Sequence, residues 1–443
     1  MEKSNTLATK LAFLSASFMV TSAYAIQSAL PQIKNALNVT QPQVEYLVTT
    51  PSFAVMFFVV LSPLLQDWFH ISDKHIIMAG ICLVGIAGLV PAFVTNYWAI
   101  LVSRLVLGAG YGLYNSQAIS LISVWYKGHE RTSMQGWRSA FEQIGNACTL
   151  TISSLLLIYA GWHAAFLVYG LAFAVMAFFA WRVPNDTHST SDDDSESSDN
   201  DTNSQTISPI TNKPVTKISP LVIGILFFVL LIKMDFIGME NRFPGLAVAI
   251  KGAKFDGTGT YLSLMLIGAT LGGATYGILQ KHFGYIGTMY IGLVLLAIAN
   301  FLFGFGGNNF VVIAAGILLV GYPMQVLTPL IFNILPFMAP MKLQTKLTSF
   351  ILIGFNFGAF FSPTADELFN RILGQKLSGL GLAAPFRIYG VMMLVIAGLI
   401  FLGKHLYALK SVSQSARNSI NTITANKSVA TRIPAQEHAN INH

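Results

Sequence analysis

Ionisable side chains lie inside apolar stretches of this sequence, where they are costly and therefore informative. Arg138, Glu142 and Asn146 follow one another at four-residue spacing, so a helix would place them on one face. On that face Arg138 can bind a substrate carboxylate through two hydrogen bonds, and Glu142 can carry a proton. Alternatively, the arginine and the glutamate neutralise each other one helical turn apart.

A second group of charged residues lies in the apolar stretch that follows residue 218. Lys233 and Glu240 share a helix face by their spacing, whereas Asp235 points elsewhere. Carboxyl groups inside the membrane can hold a proton, so we expect Glu142, Asp235 and Glu240 to take part in proton coupling.

Further polar residues complete a predicted solute pathway. Arg104, Gly108 and Tyr111 share one face of a predicted helix. Arg104 can alternatively bond to backbone carbonyls alone, and aromatic residues can serve packing rather than binding. The residues predicted to contact the substrate are Gln27, Arg104, Tyr111, Tyr114, Asn115, Arg138, Asn146 and Lys233.

The composition of the chain requires a membrane to cover its apolar surface. Hydrophobic residues make up 53% of the 443 residues and charged residues only 10%, against about 25% charged in a soluble domain. The net charge of +7 comes from Lys and Arg scattered through short loops and the tail, a pattern typical of membrane orientation rather than nucleic-acid binding. We therefore expect no nucleic-acid partner.

At about 20 apolar residues per crossing, the sequence predicts twelve transmembrane helices. Residues 1–25 also resemble a signal peptide ending in Ala23-Tyr24-Ala25, but apolar sequence continues to Leu30, which favours an uncleaved first span. The first six spans are predicted near 11–30, 43–66, 75–95, 98–123, 134–159 and 163–182. The other six are predicted near 219–243, 258–280, 285–305, 309–336, 346–365 and 386–407.

Four regions follow from these spans. An N-terminal six-helix bundle would occupy residues 1–184, and a C-terminal six-helix bundle residues 218–408. Between them, residues 185–217 are rich in Ser, Asp, Asn and Thr, which predicts a disordered acidic linker. Residues 409–443 would form a polar tail. Lys and Arg are about twice as frequent on the side of the linker, so we expect both termini, the linker and the tail in the cytoplasm, and the protein in the cell membrane.

The two halves of the chain repeat each other at one offset. Gln27-x-x-x-Pro31 matches Glu240-x-x-x-Pro244, 213 residues further on. Glycine pairs with the same offset are Gly108 with Gly321 and Gly145 with Gly358. Because six spans separate the copies, both would run in the same direction, as in transporters built from two parallel repeats around a central site.

The chain resembles the major facilitator superfamily over nearly its whole length. The loop Pro63-Leu64-Leu65-Gln66-Asp67-Trp68-Phe69-His70 keeps the acid of the family pattern Gly-x-x-x-Asp-Arg-x-Gly-Arg-Arg but lacks both glycines and the arginine. The corresponding loop of the second half, Gly277 to Gly284, keeps the glycines and has Lys281 in place of the acid. Matches to further family patterns are Arg104, Gly108 and Gly110, and the run Trp125-Tyr126…Glu130-Arg131…Gly136…Gly145, which is similar to organic-anion symporters of the superfamily.

This resemblance implies an all-α membrane protein whose twelve helices form two six-helix bundles related as parallel repeats. It implies gating roles for Asp67, Arg131 and Lys281, and it places Arg104 near the proton-coupling machinery.

The predicted function is secondary active transport of a small organic solute, anionic or amphipathic, by alternating access coupled to protons. The sequence contains no Gly-x-x-x-x-Gly-Lys-Ser/Thr loop, so we expect an ion gradient rather than ATP as the energy source. The buried carboxylates favour protons as the coupling ion, and sodium is the alternative. We expect no metal and no other cofactor. We also expect a monomer whose partners are the substrate, the coupling proton and the lipid bilayer.

Two alternatives remain open from the sequence. A multidrug/proton antiporter would use Glu142, Asp235 and Glu240 to bind lipophilic cations. A non-transporting membrane sensor would use the acidic linker or the tail as its output. An enzyme is not expected, because the sequence shows no recognisable catalytic group.

Overall fold

Every regular element in the described part of the chain is helical. The computed structural model describes residues 7–126, 128–183, 221–334 and 341–402. The α-helices are α1 (Leu7–Ser15), α2 (Leu30–Leu37), α3 (Gln41–Phe69), α4 (Asp73–Leu89), α5 (Tyr97–Trp125), α6 (Gly128–Ala165), α7 (Leu171–Arg182), α8 (Leu221–Lys251), α9 (Thr258–Phe305), α10 (Phe310–Ile334) and α11 (Met341–Ile372). Short 3₁₀ helices cover Ala16–Met19, Ser22–Ala29, Val90–Ala92, Phe166–Gly170 and Gly379–Ala383.

The chain divides into two compact units, residues 1–391 and 392–443. The larger unit ends in helical residues 385–391, and in the smaller unit residues 392–402 are helical. The predicted linker (185–217) and tail (409–443) lie outside the described residues.

Many of these helices are long enough to cross a bilayer. Within the described residues, eight helical stretches are long and apolar enough to span a membrane, judged by length and composition. A ninth results if the bent pair Leu7–Met19 and Ser22–Leu37, whose two parts differ by 45°, is one span. The chain is therefore an all-helical, multi-pass membrane protein.

Two long helices are interrupted at a glycine. Gly161 in α6 has φ 79° and ψ −177°, and Gly284 in α9 has φ 66° and ψ 180°. A residue with a Cβ rarely adopts such angles, so glycine lets the chain turn at these two positions. Both breaks fall where the sequence predicts a boundary between two spans.

The helices α8 and α11 extend beyond their predicted ends. α8 continues past residue 243 to Lys251, and α11 continues past residue 365 to Ile372. The polar side chains of Arg242 and Asp366, near those predicted ends, are fully buried between helices. They therefore do not bring their helices to an end.

Arg104 ties several parts of the first half together. Pro51, inside α3, has no N–H, so the carbonyl of Leu47 lacks its usual helical partner. Arg104 Nε donates to this carbonyl at 2.7 Å, and Nη2 donates to the carbonyl of Ala23 at 2.6 Å. Nη1 donates to the hydroxyl of Tyr169 at 2.6 Å. These bonds account for a fully buried arginine without any substrate.

The repeat predicted from glycine spacing corresponds to repeated helix contacts. A Cβ built on Gly145 would lie 2.0 Å from the carbonyl oxygen of Phe18, and one on Gly358 would lie 2.5 Å from that of Leu230. The second pair is Gly108, 2.3 Å from the Pro51 oxygen, and Gly321, 2.4 Å from the Met265 oxygen. In both halves, glycine at the repeated position lets two helix backbones approach closely.

Among the described residues, several contacts between the two halves of the chain lie at one end of the helices. The start of α3 packs on the end of α11, where the hydroxyls of Tyr46 and Thr364 are hydrogen-bonded. The part of α6 before Gly161 meets the start of α9, where Thr151 Oγ1 lies 2.9 Å from Ser263 Oγ. We call this region, formed by the starts of α3 and α9 and the ends of α6, α8 and α11, the closed end.

Candidate functional site

A cavity of about 300 Å³ lies between helices from both halves of the chain. Its volume is at the lower limit for small-molecule sites, which suits a small solute. Its polar and charged lining consists of Thr21, Tyr24, Ser52, Tyr111, Asn115, Glu142, Gln143, Asn146, Lys233, Glu240, Gln325, Thr328 and Asn356. Its apolar lining includes Val20, Val55, Phe236, Met324, Phe332 and Phe355.

Lys233 supplies the positive charge of this lining. Its Nζ lies 5.7 Å from the ring centre of Tyr24 and 5.1 Å from that of Phe236. Aromatic faces attract an ammonium group without neutralising it. No hydrogen bond or ion pair of Nζ is found among the described residues, so this cation is available to an anionic solute.

Glu240 lies in the cavity wall and is held from the other half of the chain. Gln27 Nε2 donates to Glu240 Oε2 at 3.2 Å and to Asn241 Oδ1 at 3.1 Å. Gln27 itself does not line the cavity. Its position therefore supports Glu240 rather than offering a direct substrate contact.

Arg138 and Glu142 form the intrahelical pair that the sequence left open as one alternative. Arg138 Nη1 lies 3.6 Å from Glu142 Oε2, and Nη2 donates to Asn115 Oδ1 at 2.9 Å. Glu142 and Asn115 line the cavity, whereas Arg138 lies behind them. The sequence predicted that Arg138 contacts a substrate carboxylate directly. In the structure Arg138 instead supports two residues of the cavity lining, Glu142 and Asn115.

The remaining predicted ligands divide between the cavity and the packed interior. Tyr111 lines the cavity, and its hydroxyl lies 2.6 Å from Ser22 Oγ. Asn146 also lines it, and its buried Oδ1 has no hydrogen-bond partner among the described residues. Tyr114 is fully buried outside the lining. Asn146 Oδ1 is therefore an acceptor that a solute can use.

Two expected site residues lie away from the cavity. Arg104, predicted as a substrate ligand, is fully engaged by the backbone carbonyls and the tyrosine hydroxyl described above. Asp235, predicted to carry a coupling proton, is fully buried and accepts a hydrogen bond from Asn300 Nδ2 at 2.7 Å. Neither residue lines the cavity, so neither is a direct ligand of a solute bound there.

The predicted gating residues are only partly described. Asp67 lies near the end of α3 and Arg131 near the start of α6. Their side chains are outside the described part of the structure. Lys281 lies in α9, three residues before the break at Gly284, and its side chain is exposed. Their gating roles remain predictions.

Sequence reasoning missed a charged group at the closed end. Glu45, Arg242 and Asp366 are each fully buried. Arg242 Nε lies 3.4 Å from Glu45 Oε1 and 3.1 Å from Asp366 Oδ2. The signal available in the sequence was two acids within apolar runs, at positions 45 and 366, but their common partner is distant along the chain.

A multi-pass helical fold with a charged cavity between its two halves defines the class of membrane solute transporters. Comparison with known families agrees with this class. The model of the Major Facilitator Superfamily matches residues 12–252, more than half of the chain. The chain belongs to this superfamily and is a transporter rather than an enzyme.

Similarity to individual proteins is distant. The chain is 25% identical over 167 residues to a probable sulfoacetate transporter of Cupriavidus necator, a match covering 37% of this chain and 38% of that relative. A second relative, spinster homolog 1 of Xenopus laevis, is also 25% identical over 167 residues, covering 36% of this chain and 31% of that protein. The chain thus matches less than half the length of these curated relatives.

Solved transporters share the fold over nearly the whole chain. A D-xylose–proton symporter aligns with a TM-score of 0.70 at 13% identity, covering 89% of this chain and 96% of that one. A mutant nucleoside transporter aligns with a TM-score of 0.69 at 14% identity, covering 88% of this chain and 99% of that one. At such identities the likeness concerns the fold alone.

Proposed function

We propose that this protein is a proton-coupled secondary transporter that binds a small organic anion in the cavity between its two halves. The observation that carries the proposal is Lys233, a cation at the cavity wall that lies between two aromatic rings and has no acidic partner in direct contact. Neighbouring amides and hydroxyls supply hydrogen bonds to the rest of the solute. The name of the bacterial relative, which refers to sulfoacetate, supports an anionic substrate.

Twelve crossings in two six-helix bundles are part of this proposal. Eight spans are recognised by length and composition, and the bent first pair adds one. The glycine breaks in α6 and α9 would divide each of those long stretches into two crossings, and α5, with 29 residues, is long enough for another. The bundles would occupy residues 1–184 and 218–408, joined by the linker 185–217 and followed by the tail 409–443.

The proposed orientation places both termini in the cytoplasm of a cell membrane. The excess of Lys and Arg on the side of the linker supports it. Burial of Arg242 removes one arginine from the opposite side and strengthens this bias. The closed end would then face outward, and the protein would act as a monomer.

Proton coupling in the cavity would involve Glu240 and Glu142. Both carboxyl groups line the cavity, so protonation of either changes the charge that an anionic solute meets. An incoming proton would reduce repulsion of the anion and thereby link the two binding events.

The test is binding of sulfoacetate to the purified full-length protein, followed by counterflow in proteoliposomes. Sulfoacetate should raise the thermal transition of the wild type, because a ligand of the folded state stabilises it. Lys233→Met should weaken binding by about tenfold or more, since loss of a close charge interaction costs at least ~1.4 kcal/mol. Lys233→Arg should retain part of the affinity.

The matched control is Lys254→Met, which removes an exposed lysine outside the cavity and should leave binding unchanged. Uncharged xylose and a nucleoside serve as comparison solutes. Equal binding of all three solutes, unaffected by Lys233→Met, would refute the anionic preference. Binding without counterflow would instead support a sensor.

A multidrug/proton antiporter remains the second candidate, supported by a different part of the lining. The cavity that contains the two glutamates is also lined by the aromatic residues Tyr24, Phe236, Phe332 and Phe355, which suits lipophilic cations. A competition measurement separates the two candidates. It determines whether sulfoacetate displaces a lipophilic cation that is bound to the protein.

A further inference from the structure

Three fully buried charged side chains meet at the closed end. Glu45 belongs to α3 in the first half, whereas Arg242 belongs to α8 and Asp366 to α11 in the second. All three are 0% exposed. We call them the buried triad.

One guanidinium nitrogen serves both carboxylates. Arg242 Nε lies 3.4 Å from Glu45 Oε1 and 3.1 Å from Asp366 Oδ2. Nη1 is already bonded, to Asn370 Oδ1 at 2.5 Å and to the carbonyl of Leu382 at 3.2 Å. Among the described residues, Arg242 Nη2, Glu45 Oε2 and Asp366 Oδ2 have no aligned hydrogen-bond partner. The two-bond pairing that stabilises a buried carboxylate is therefore formed with neither acid.

The charge of the triad does not balance when both acids are ionised. Two carboxylates and one guanidinium leave one negative charge where solvent does not reach. An uncompensated buried ion costs several kcal/mol, and carboxylates that share one site do not both stay ionised. A single proton on either acid removes the imbalance.

Neighbouring groups on the side of α3 do not supply a second buried cation. Lys34, on α2, is only half-buried and donates to Gln41 Oε1 at 3.0 Å. Gln41 in turn donates to Glu45 Oε1 at 2.8 Å. Lys34 thus reaches Glu45 only through a neutral amide.

Neighbouring groups on the side of α11 add no positive charge to the site either. The Tyr389 hydroxyl donates to Asp366 Oδ1 at 3.1 Å. Glu367, the next residue of α11, pairs with the exposed Arg371 at 2.6 Å. Asp235, on α8, is a further buried carboxyl group and makes the surroundings more acidic.

We propose that the buried triad is a second proton-binding site, in addition to the cavity carboxyl groups of Glu142 and Glu240, and that it holds one proton while the two halves are closed at this end. The inference rests on the proton coupling proposed above and places this second proton outside the solute cavity. When the halves separate, Arg242 and Asp366 remain together as a neutral pair. Glu45 leaves with α3, beside Gln41 and Lys34. The separated state needs no proton, so proton binding favours closure.

The test measures closure of the full-length protein in liposomes without any solute. Nitroxide spin labels are placed on Asn35→Cys and Gln375→Cys, exposed positions at the closed end, in a background of Cys82→Ser and Cys148→Ser. Pulsed electron resonance then gives the distance distribution between them. As the pH is raised from about 5 to about 9, the ratio of closed to open protein should fall. Above the midpoint of this pH transition, the ratio should fall about tenfold per pH unit, as expected when one proton binds.

Glu45→Gln and Asp366→Asn imitate the protonated acids and should each stay closed across the whole pH range. Glu367→Gln is the matched control, because it changes the adjacent surface acid, and it should respond to pH as the wild type does. Asp235→Asn should also retain the response. Monodisperse elution confirms that each variant is folded.

A wild-type distance that does not change with pH would overturn the proposal. So would Glu45→Gln and Asp366→Asn variants that still respond to pH, or a response abolished by Asp235→Asn alone. Because the experiment uses no solute, its failure leaves the Lys233 binding test unaffected. Conversely, a failed Lys233 test leaves the pH response of closure intact.

Discussion

Gln27 Nε2 donates to Glu240 Oε2 at 3.2 Å, and the two residues are 213 positions apart, the offset of the internal repeat. Equivalent positions of the two halves are therefore in contact with each other. Such a contact is expected near the axis that relates two parallel repeats. Since Glu240 lines the cavity, this bond joins the halves directly at the cavity wall.

Replacing Gln27 by Leu should destabilise the protein. The change leaves the buried oxygens of Glu240 and Asn241 without their donor, which costs about 1–3 kcal/mol. The measurement is a lower thermal transition in detergent, with Gln32→Leu on the exposed face of α2 as control. A Gln27→Leu protein as stable as the wild type would show that the bond contributes little.

Replacing Arg104 should lower the stability of the protein without changing the affinity of the cavity for its solute. Arg104→Gln and Arg104→Lys should both reduce the thermal transition, because neither side chain can reach three separated acceptors as a guanidinium does. The folded fraction should bind sulfoacetate with wild-type affinity, since Arg104 lies outside the lining. Arg371→Gln, at an exposed arginine, is the control. If Arg104→Lys were as stable as the wild type but did not bind sulfoacetate, Arg104 would instead be a substrate ligand.

The glycines of the repeat should tolerate no added methyl group. Gly145→Ala and Gly358→Ala place a Cβ 2.0 Å and 2.5 Å from backbone oxygens of the facing helices, so the helices must separate. Both variants should give less folded protein and a lower thermal transition. Gly277→Ala, with no atom within 4 Å of its added Cβ, should behave as the wild type. Equal stability of all three variants would contradict the observed packing.

The pair of Arg138 and Glu142 should tune anion affinity in opposite directions. Glu142→Gln removes a negative charge from the cavity wall, so sulfoacetate should bind several-fold more tightly, equivalent to about 1 kcal/mol. Arg138→Gln should weaken binding by a similar factor, and the double variant should resemble the wild type. Dissociation constants from calorimetry provide the comparison. Weaker binding by Glu142→Gln would indicate that this acid contacts the solute directly.

Much of the helical organisation could be predicted because local composition determines it. The apolar runs predicted the helices, and the breaks at Gly161 and Gly284 fall between spans that were predicted separately. The equivalence of Gln27 and Glu240 was visible in the sequence because each precedes a proline by four residues. Cavity residues Lys233, Glu240 and Glu142 were identified because charge within an apolar run is rare.

The remaining features depend on which helices meet, and composition does not determine that. Glu45 and Arg242 are distant in the sequence, and their pairing follows only from the packing of α3 against the second half. Arg104 had two possible environments, and the deciding feature was a carbonyl that Pro51 leaves free on another helix. Asp235 was predicted to point away from the face of Lys233, and its partner Asn300 could not be inferred.

The side-chain amides around the cavity have a consequence for selectivity. Asn146 and Gln325 each carry both a donor and an acceptor, and a half-turn of the amide exchanges the two. Such a wall can adapt to solutes whose own donors and acceptors are arranged differently. Discrimination would then depend on overall size and ionic character, so chemically diverse acids of similar dimensions should compete for entry.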